Sequence, residues 1–145
     1  MLAAIQALAV ALAAASAPPE LVVVVHPAVA VQKLDAAQLE SIFSSMHRTW
    51  AGGMAVLALN FPPEDALRVA FDKAVLRLDP DRVSQFWIDQ RIRADCRPPL
   101  EVPDPAMALR LVARLPGAIG YLPAAVADGT VRVVARVRGG MVLPP

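Results

Sequence analysis

Cysteine, lysine and aromatic rings are all scarce in this 145-residue chain. A single cysteine, Cys96, excludes an intramolecular disulfide, so stability must come from a packed core. The only histidines are His26 and His47, and no pair among these three residues has the spacing of a metal-ligand motif. No metal or cofactor is expected. The chain also lacks G-x-S-x-G, H-E-x-x-H and any glycine-rich loop opening a helix with lysine, so the reading is not an enzyme. A net charge of +1, with no coherent basic face carrying aromatics, gives no reason to expect a nucleic-acid partner. Two lysines stand against twelve arginines. Genomic base composition explains that bias, and abundant Ala, Val and Pro agree with it. The functional alternative is anion recognition by the planar guanidinium fork.

Apolar residues, by contrast, are plentiful, at 57% with a mean hydropathy of +0.50. Much of the excess lies in MLAAIQALAVALAAASA, residues 1–17, which carry no charge. An apolar centre ending in Ala15-Ser16-Ala17 reads as a cleaved export signal and implies a periplasmic chain. The alternative is an N-terminal anchor, but Pro18-Pro19-Glu20 cuts the run short of the roughly 20 residues a span needs. The length suits one domain, over residues 21–138, with 139–145 as a C-terminal tail.

Within that domain LVVVVH, Leu21 to His26, is a β-branched run that reads as a buried strand. Asp35 followed by Gln38 is a capping-box pattern opening a helix with Leu39, Ile42 and Phe43 on one face. Ala55 to Asn60 is a second strand. A helix from about Glu64 to Arg77 follows, its apolar stripe running through Leu67, Ala70, Phe71, Ala74, Val75 and Leu78. Asp79-Pro80 and Asp104-Pro105 each place a cap before a proline at the first helical position. The first opens a helix with Val83, Phe86, Trp87 and Ile92 inward. The second turns Met107, Ala108, Leu111, Val112 and Leu115 inward. Leu100-Glu101-Val102 starts a strand, and Thr130 to Val137 alternates as a half-exposed strand at a sheet edge, with Val134 on the outer side. Strands alternating with helices predict an α/β layer with a mixed, mostly parallel sheet flanked by helices.

LPGAIGYLP, Leu115 to Pro123, concentrates backbone punctuation. Pro116 and Gly117 stop a helix, a short buried strand follows, and Gly120 permits close approach by a backbone, side chain or ligand. Tyr121 brings a ring and a hydroxyl that needs a partner. This segment, with the preceding LRLVAR, resembles the p-G-A-I-G-Y segment of phosphate-type substrate-binding proteins of ABC transporters. LDAAQLESIFSSMHRTWAGGMAVLALN resembles that family's L-x-x-I-F-x-G…W-x-x-G block. FW followed by RPPLEV is similar to its aromatic helix and P-P-x-e-v turn. The three ordered blocks cover roughly Leu21 to Val137.

The resemblance implies one lobe of a type 2 periplasmic-binding-protein fold, where full-length members have two lobes closing on an anion. It implies a small phosphate-like anion as ligand and a membrane transporter as partner. The implied ligand positions are Asn60, Asp65, Ala66 and Arg68, with Ser45 after the I-F pair and Gly120 and Tyr121 in GAIGY. Here NFPPEDALR, Asn60 to Arg68, has no Ser or Thr. Glu64 and Asp65 suit a helix start better than an anion. Ser45 and Ala94 stand where the family has glycine. The other function class is therefore a ligand-less module that docks on a membrane receptor or outer-membrane partner. Oligomeric state is left open. Trp50 reads as a core plug or a stacking residue, and Arg91, Arg93 and Arg97 as a solvated basic loop or an anion contact.

Overall fold

Leu21 to Val25 contains no polar side chain, and all five residues are buried, as a strand covered on both sheet faces requires. The computed structural model describes residues 19–93 and 97–145 and places this strand, β1 (Leu21–Val25), inside a six-stranded sheet. The expected export signal, Ala94 and Cys96 lie outside the described residues. After β1 come α1 (Ala36–Phe43), β2 (Leu57–Asn60), α2 (Ala66–Val75), α3 (Pro80–Arg93) and β3 (Leu100–Glu101). The chain then forms α4 (Pro105–Arg114), β4 (Ala118–Pro123), β5 (Arg132–Arg138) and β6 (Met141–Leu143).

The strand order is β3-β2-β4-β1-β5-β6. β3, β2 and β4 run parallel, β1 is antiparallel to both β4 and β5, and β6 is antiparallel to β5. Four strands thus share one direction, and β1 and β6 oppose them. Residues of β4 alternate between two helical layers. Gly120 faces Val112 of α4, while Tyr121 stacks on Phe71 of α2 at 3.8 Å with the rings 2° from parallel. Phe43 of α1 meets Phe71 edge-on at 4.7 Å, and Phe61 meets Tyr121 at 5.1 Å. This aromatic cluster ties α1, α2 and the end of β2 to the middle of the sheet.

The helix starts follow their sequence signals. Asp35 accepts the Gln38 N–H at 2.8 Å while Gln38 accepts that of Asp35 at 2.9 Å, a complete capping box. Asp104 caps α4 through the Met107 N–H at 2.8 Å, with Pro105 at the first position.

Four details differ from the sequence expectation. Residues 139–145 are not simply a tail, because Gly139 and Gly140, both at positive φ, turn the chain into β6. β5 therefore has a neighbour on each side and is not the edge. Its alternation also breaks, since the register with β1 shifts between Val23 and Val24, and Val134 is buried rather than outward. Ile92 is 80% exposed, as α3 turns its last residues away from the core. On α2 the buried stripe is rotated: Arg68 and Asp72 join Phe71, Ala74 and Val75, while Leu67 and Ala70 are half-buried.

Gly117 accounts for the punctuation in LPGAIGYLP. Its φ is +87°, and a Cβ there would stand 2.2 Å from the Ala55 carbonyl oxygen. Its own carbonyl accepts the Trp50 Nε1–H at 2.9 Å and the Leu57 N–H at 3.0 Å. Trp50 is thereby the buried plug of this junction. Gly120 is less constrained, because a Cβ there would lie 3.4 Å from Val112 Cγ2, an ordinary contact. We expect Gly117→Ala to cost about 2–4 kcal/mol from left-handed strain plus the clash with a backbone oxygen. Gly120→Ala should cost within about 1 kcal/mol, and Gly120→Val about 1–3 kcal/mol by overpacking against α4. Chemical denaturation of the three variants tests this order, and equal losses at Gly117→Ala and Gly120→Ala would refute it.

Candidate functional site

β2 and β3 end side by side, with Asn60 opposite Glu101 in register. Continuing the β2–β4 register, in which Ala58 lies opposite Ile119, sets Asn60 beside Tyr121. Glu101, Asn60 and Tyr121 thus form a row on the α2 side of the sheet, at the carboxyl ends of parallel strands, where open α/β sheets bind ligands. A cleft of about 340 Å³ opens there between α2, α3 and the Pro98–Pro99 segment. That volume lies in the usual range for small-molecule sites, about 300–1,000 Å³.

Arg68 and Asp72 form the polar floor. They sit one helical turn apart on the inward face of α2, with only 9% and 5% of their surfaces exposed. Arg68 Nε donates to Asp72 Oδ2 at 3.3 Å, and Nη1 donates to the Phe61 carbonyl at 3.0 Å. Burial pushes the Asp72 carboxyl up to about 6, while the charge and hydrogen bond of Arg68 hold it lower than burial alone would. Asn60 accepts the Phe61 N–H at 2.9 Å and the Tyr121 hydroxyl on its carbonyl oxygen, which orients the amide nitrogen away from both donors. Burial, reinforced by the negative charge of Asp72, drives the Tyr121 hydroxyl far above its ordinary pKa, so it remains a donor. The walls are apolar, with Val83, Trp87 and Ile88 from α3 facing Pro98 and Pro99. Arg91 and Glu101 add one charge of each sign.

The candidate positions do not converge on one place. Asn60 and Arg68 line this cleft together. Asp65 caps α2, accepting the Leu67 N–H at 2.8 Å, so its carboxylate holds the position at the helix start that a bound anion would take. Ala66 is the exposed first residue of that helix. Tyr121 lies behind the cleft floor and reaches it only through Asn60. Gly120 faces α4 on the opposite side of the sheet. Ser45 belongs to a second cleft of about 460 Å³, on the other side of the Pro98–Pro99 wall, with His47, Arg48 and Arg97. Its φ of 65° is left-handed, which explains glycine in the pattern it departs from, and its hydroxyl donates to the Arg97 carbonyl.

The Arg91, Arg93 and Arg97 group is likewise divided, with Arg91 at the first cleft and Arg97 at the second. Asp72 is the floor residue that apolar periodicity missed. Its signal was an Arg and an Asp four apart, in phase with Phe71 and Val75. Among the described residues no group of three or more His, Cys, Asp or Glu could hold a metal, and no helix is long and apolar enough to cross a membrane.

No protein-family model matches the chain, and no curated protein aligns with it. Solved structures do share its fold, which is that of about half of a phosphate-type ABC transporter substrate-binding protein. An ABC-type phosphate transport receptor from Vibrio cholerae superposes with a TM-score of 0.65 at 20% identity, over 81% of this chain and 46% of that one. A protein from Clostridium perfringens, described as a phosphate ABC transporter substrate-binding protein and carrying bound phosphate, gives 0.63 at 18%, over 81% and 45%. PstS from Borrelia burgdorferi gives 0.62 at 10%, over 82% and 48%. The chain therefore spans under half the length of these relatives in fold.

The Asp72 carboxyl generates a pH signature. Its folded pKa of about 6 exceeds the ordinary 3.8, so the folded state holds the proton more firmly. Its stabilising contribution is full below about pH 4 and is lost as pH rises through about 6. The stability of the wild type relative to Asp72→Asn should therefore fall across that window, with a slope no steeper than about 1.4 kcal/mol per pH unit. Denaturant titrations of both proteins at several pH values measure it. A difference that stays flat through the window would mean an ordinary carboxyl.

Proposed function

We propose that this chain is an exported solute-binding domain of a transport system, and that it captures a small solute by an anionic group at Arg68 and Asn60. The observation that carries this reading is a buried arginine lining a cleft at the carboxyl ends of β2 and β3, with the Asn60 amide beside it. The fold shared with phosphate transport receptors supports the transport setting. The uncharged, apolar residues 1–17 support export. A membrane transporter is the natural partner for such a domain.

A second reading is favoured by one specific observation. Asp65 occupies the start of α2, and Arg68 is already paired with Asp72, as in a domain whose anion site has been closed for good. That domain would dock on a membrane receptor or outer-membrane partner without binding a solute.

Thermal unfolding against a panel of small oxyanions and carboxylates separates the two. A ligand at a hundred times its Kd stabilises the fold by about 2.7 kcal/mol, which shifts the midpoint by several degrees. We expect a selective shift for at least one ligand, and its loss in Arg68→Lys, which keeps the charge but not the fork. No shift with any of them, on folded protein, would leave the docking module as the reading.

A further inference from the structure

The charges lining the first cleft cancel: Arg68 and Arg91 are matched by Asp72 and Glu101. At the floor Arg68 and Asp72 lie side by side at 3.3 Å, yet neither is fully used. Arg68 donates from Nε and Nη1, while Nη2 bonds to no described residue; Asp72 Oδ1 and the Asn60 amide nitrogen are also without such a bond. Among the described residues no buried side-chain nitrogen or oxygen lacks a partner. These three atoms therefore keep some solvent access, and all three belong to residues that line the cleft.

A partly desolvated site of zero net charge penalises a guest that brings only one sign of charge, because the added charge loses water without a matching counter-charge. A guest bearing both signs avoids that penalty. Its carboxylate can lie on Arg68 Nη2 and the Asn60 amide while its ammonium group lies on Asp72 Oδ1. The remaining lining from Val69, Val83, Trp87, Ile88 and the two prolines would cover hydrocarbon.

We propose that the solute is a small zwitterion with an apolar remainder, as an aliphatic or aromatic α-amino acid presents. Arg68 and Asn60 read its carboxylate, and Asp72 reads its ammonium group. This rests on the solute-binding reading above and narrows it. The adjacent opposite charges of an α-amino acid match the adjacency of Arg68 and Asp72, and an inorganic oxyanion would leave Asp72 facing like charge.

The test uses the full chain and four probes followed by calorimetry and thermal unfolding: leucine, isocaproate, isoamylamine and inorganic phosphate. Isocaproate lacks the amino group of leucine, and isoamylamine lacks its carboxylate. Leucine is expected to bind saturably, with each single-charge relative at least about tenfold weaker. In Asp72→Asn the preference for leucine over isocaproate should collapse while isocaproate still binds. If that variant does not fold, the probe series on the wild type decides alone. Isocaproate binding as tightly as leucine, or phosphate binding alone, would overturn the zwitterion and leave capture by an anionic group standing. No binding of any probe would overturn the zwitterion, and no shift across the oxyanion and carboxylate panel would overturn capture by an anionic group as well.

Discussion

The hydrogen bond from the Tyr121 hydroxyl to the Asn60 carbonyl joins the core of this protein to its cleft. Tyr121 is held from three sides by Phe43, Phe61 and Phe71, so its oxygen has almost no freedom of position. Asn60 inherits that rigidity and is pinned again by the Phe61 N–H. Phe61 in turn offers its carbonyl to Arg68. A chain of packed rings and hydrogen bonds thus runs from the centre of the sheet to the guanidinium at the cleft floor. The polar groups at the cleft floor are therefore held in place by the packed core rather than by solvent-facing loops.

The floor itself follows from the cost of burying charge. Removing Arg68 and Asp72 from water is unfavourable, and a well-packed apolar pair at those two α2 positions would serve stability at least as well. Retaining both at the inward face makes sense where their hydrogen-bonding capacity has a use beyond the fold. Asp65 illustrates the other outcome. It too is an acid near the cleft, but its oxygen closes a helix start and is consumed by that task.

Much of the layer order was legible in the sequence. Capping signals at Asp35 and Asp104 located helix starts, and the unbroken apolar run at Leu21–Val25 identified a strand covered on both faces. What could not be read was pairing across distance. The bulge that buries Val134 depends on how β1 meets β5, and the two-glycine turn into β6 looked like a terminal tail. The site was half legible for the same reason. Asn60 and Arg68 were found because they stand near a helix start in a resembling pattern. Asp72, Trp87 and Glu101 come from three different elements, and only the folded sheet brings them to one opening. Apolar periodicity also misassigned the buried face of α2, since it has no means of recognising a charged pair that turns inward.

The position of β1 has a consequence for how this chain acquires its structure. The first strand among the described residues lies between β4 and β5, so Leu21 is paired with both Pro123 and Val137. Its hydrogen-bonding edges stay open until nearly the whole chain is available. Pairings of such long sequence separation delay folding, because the loop must close before any contact rewards it. An apolar strand held unpaired for that interval is exposed to non-native association. It is also the segment that a chaperone would need to shield.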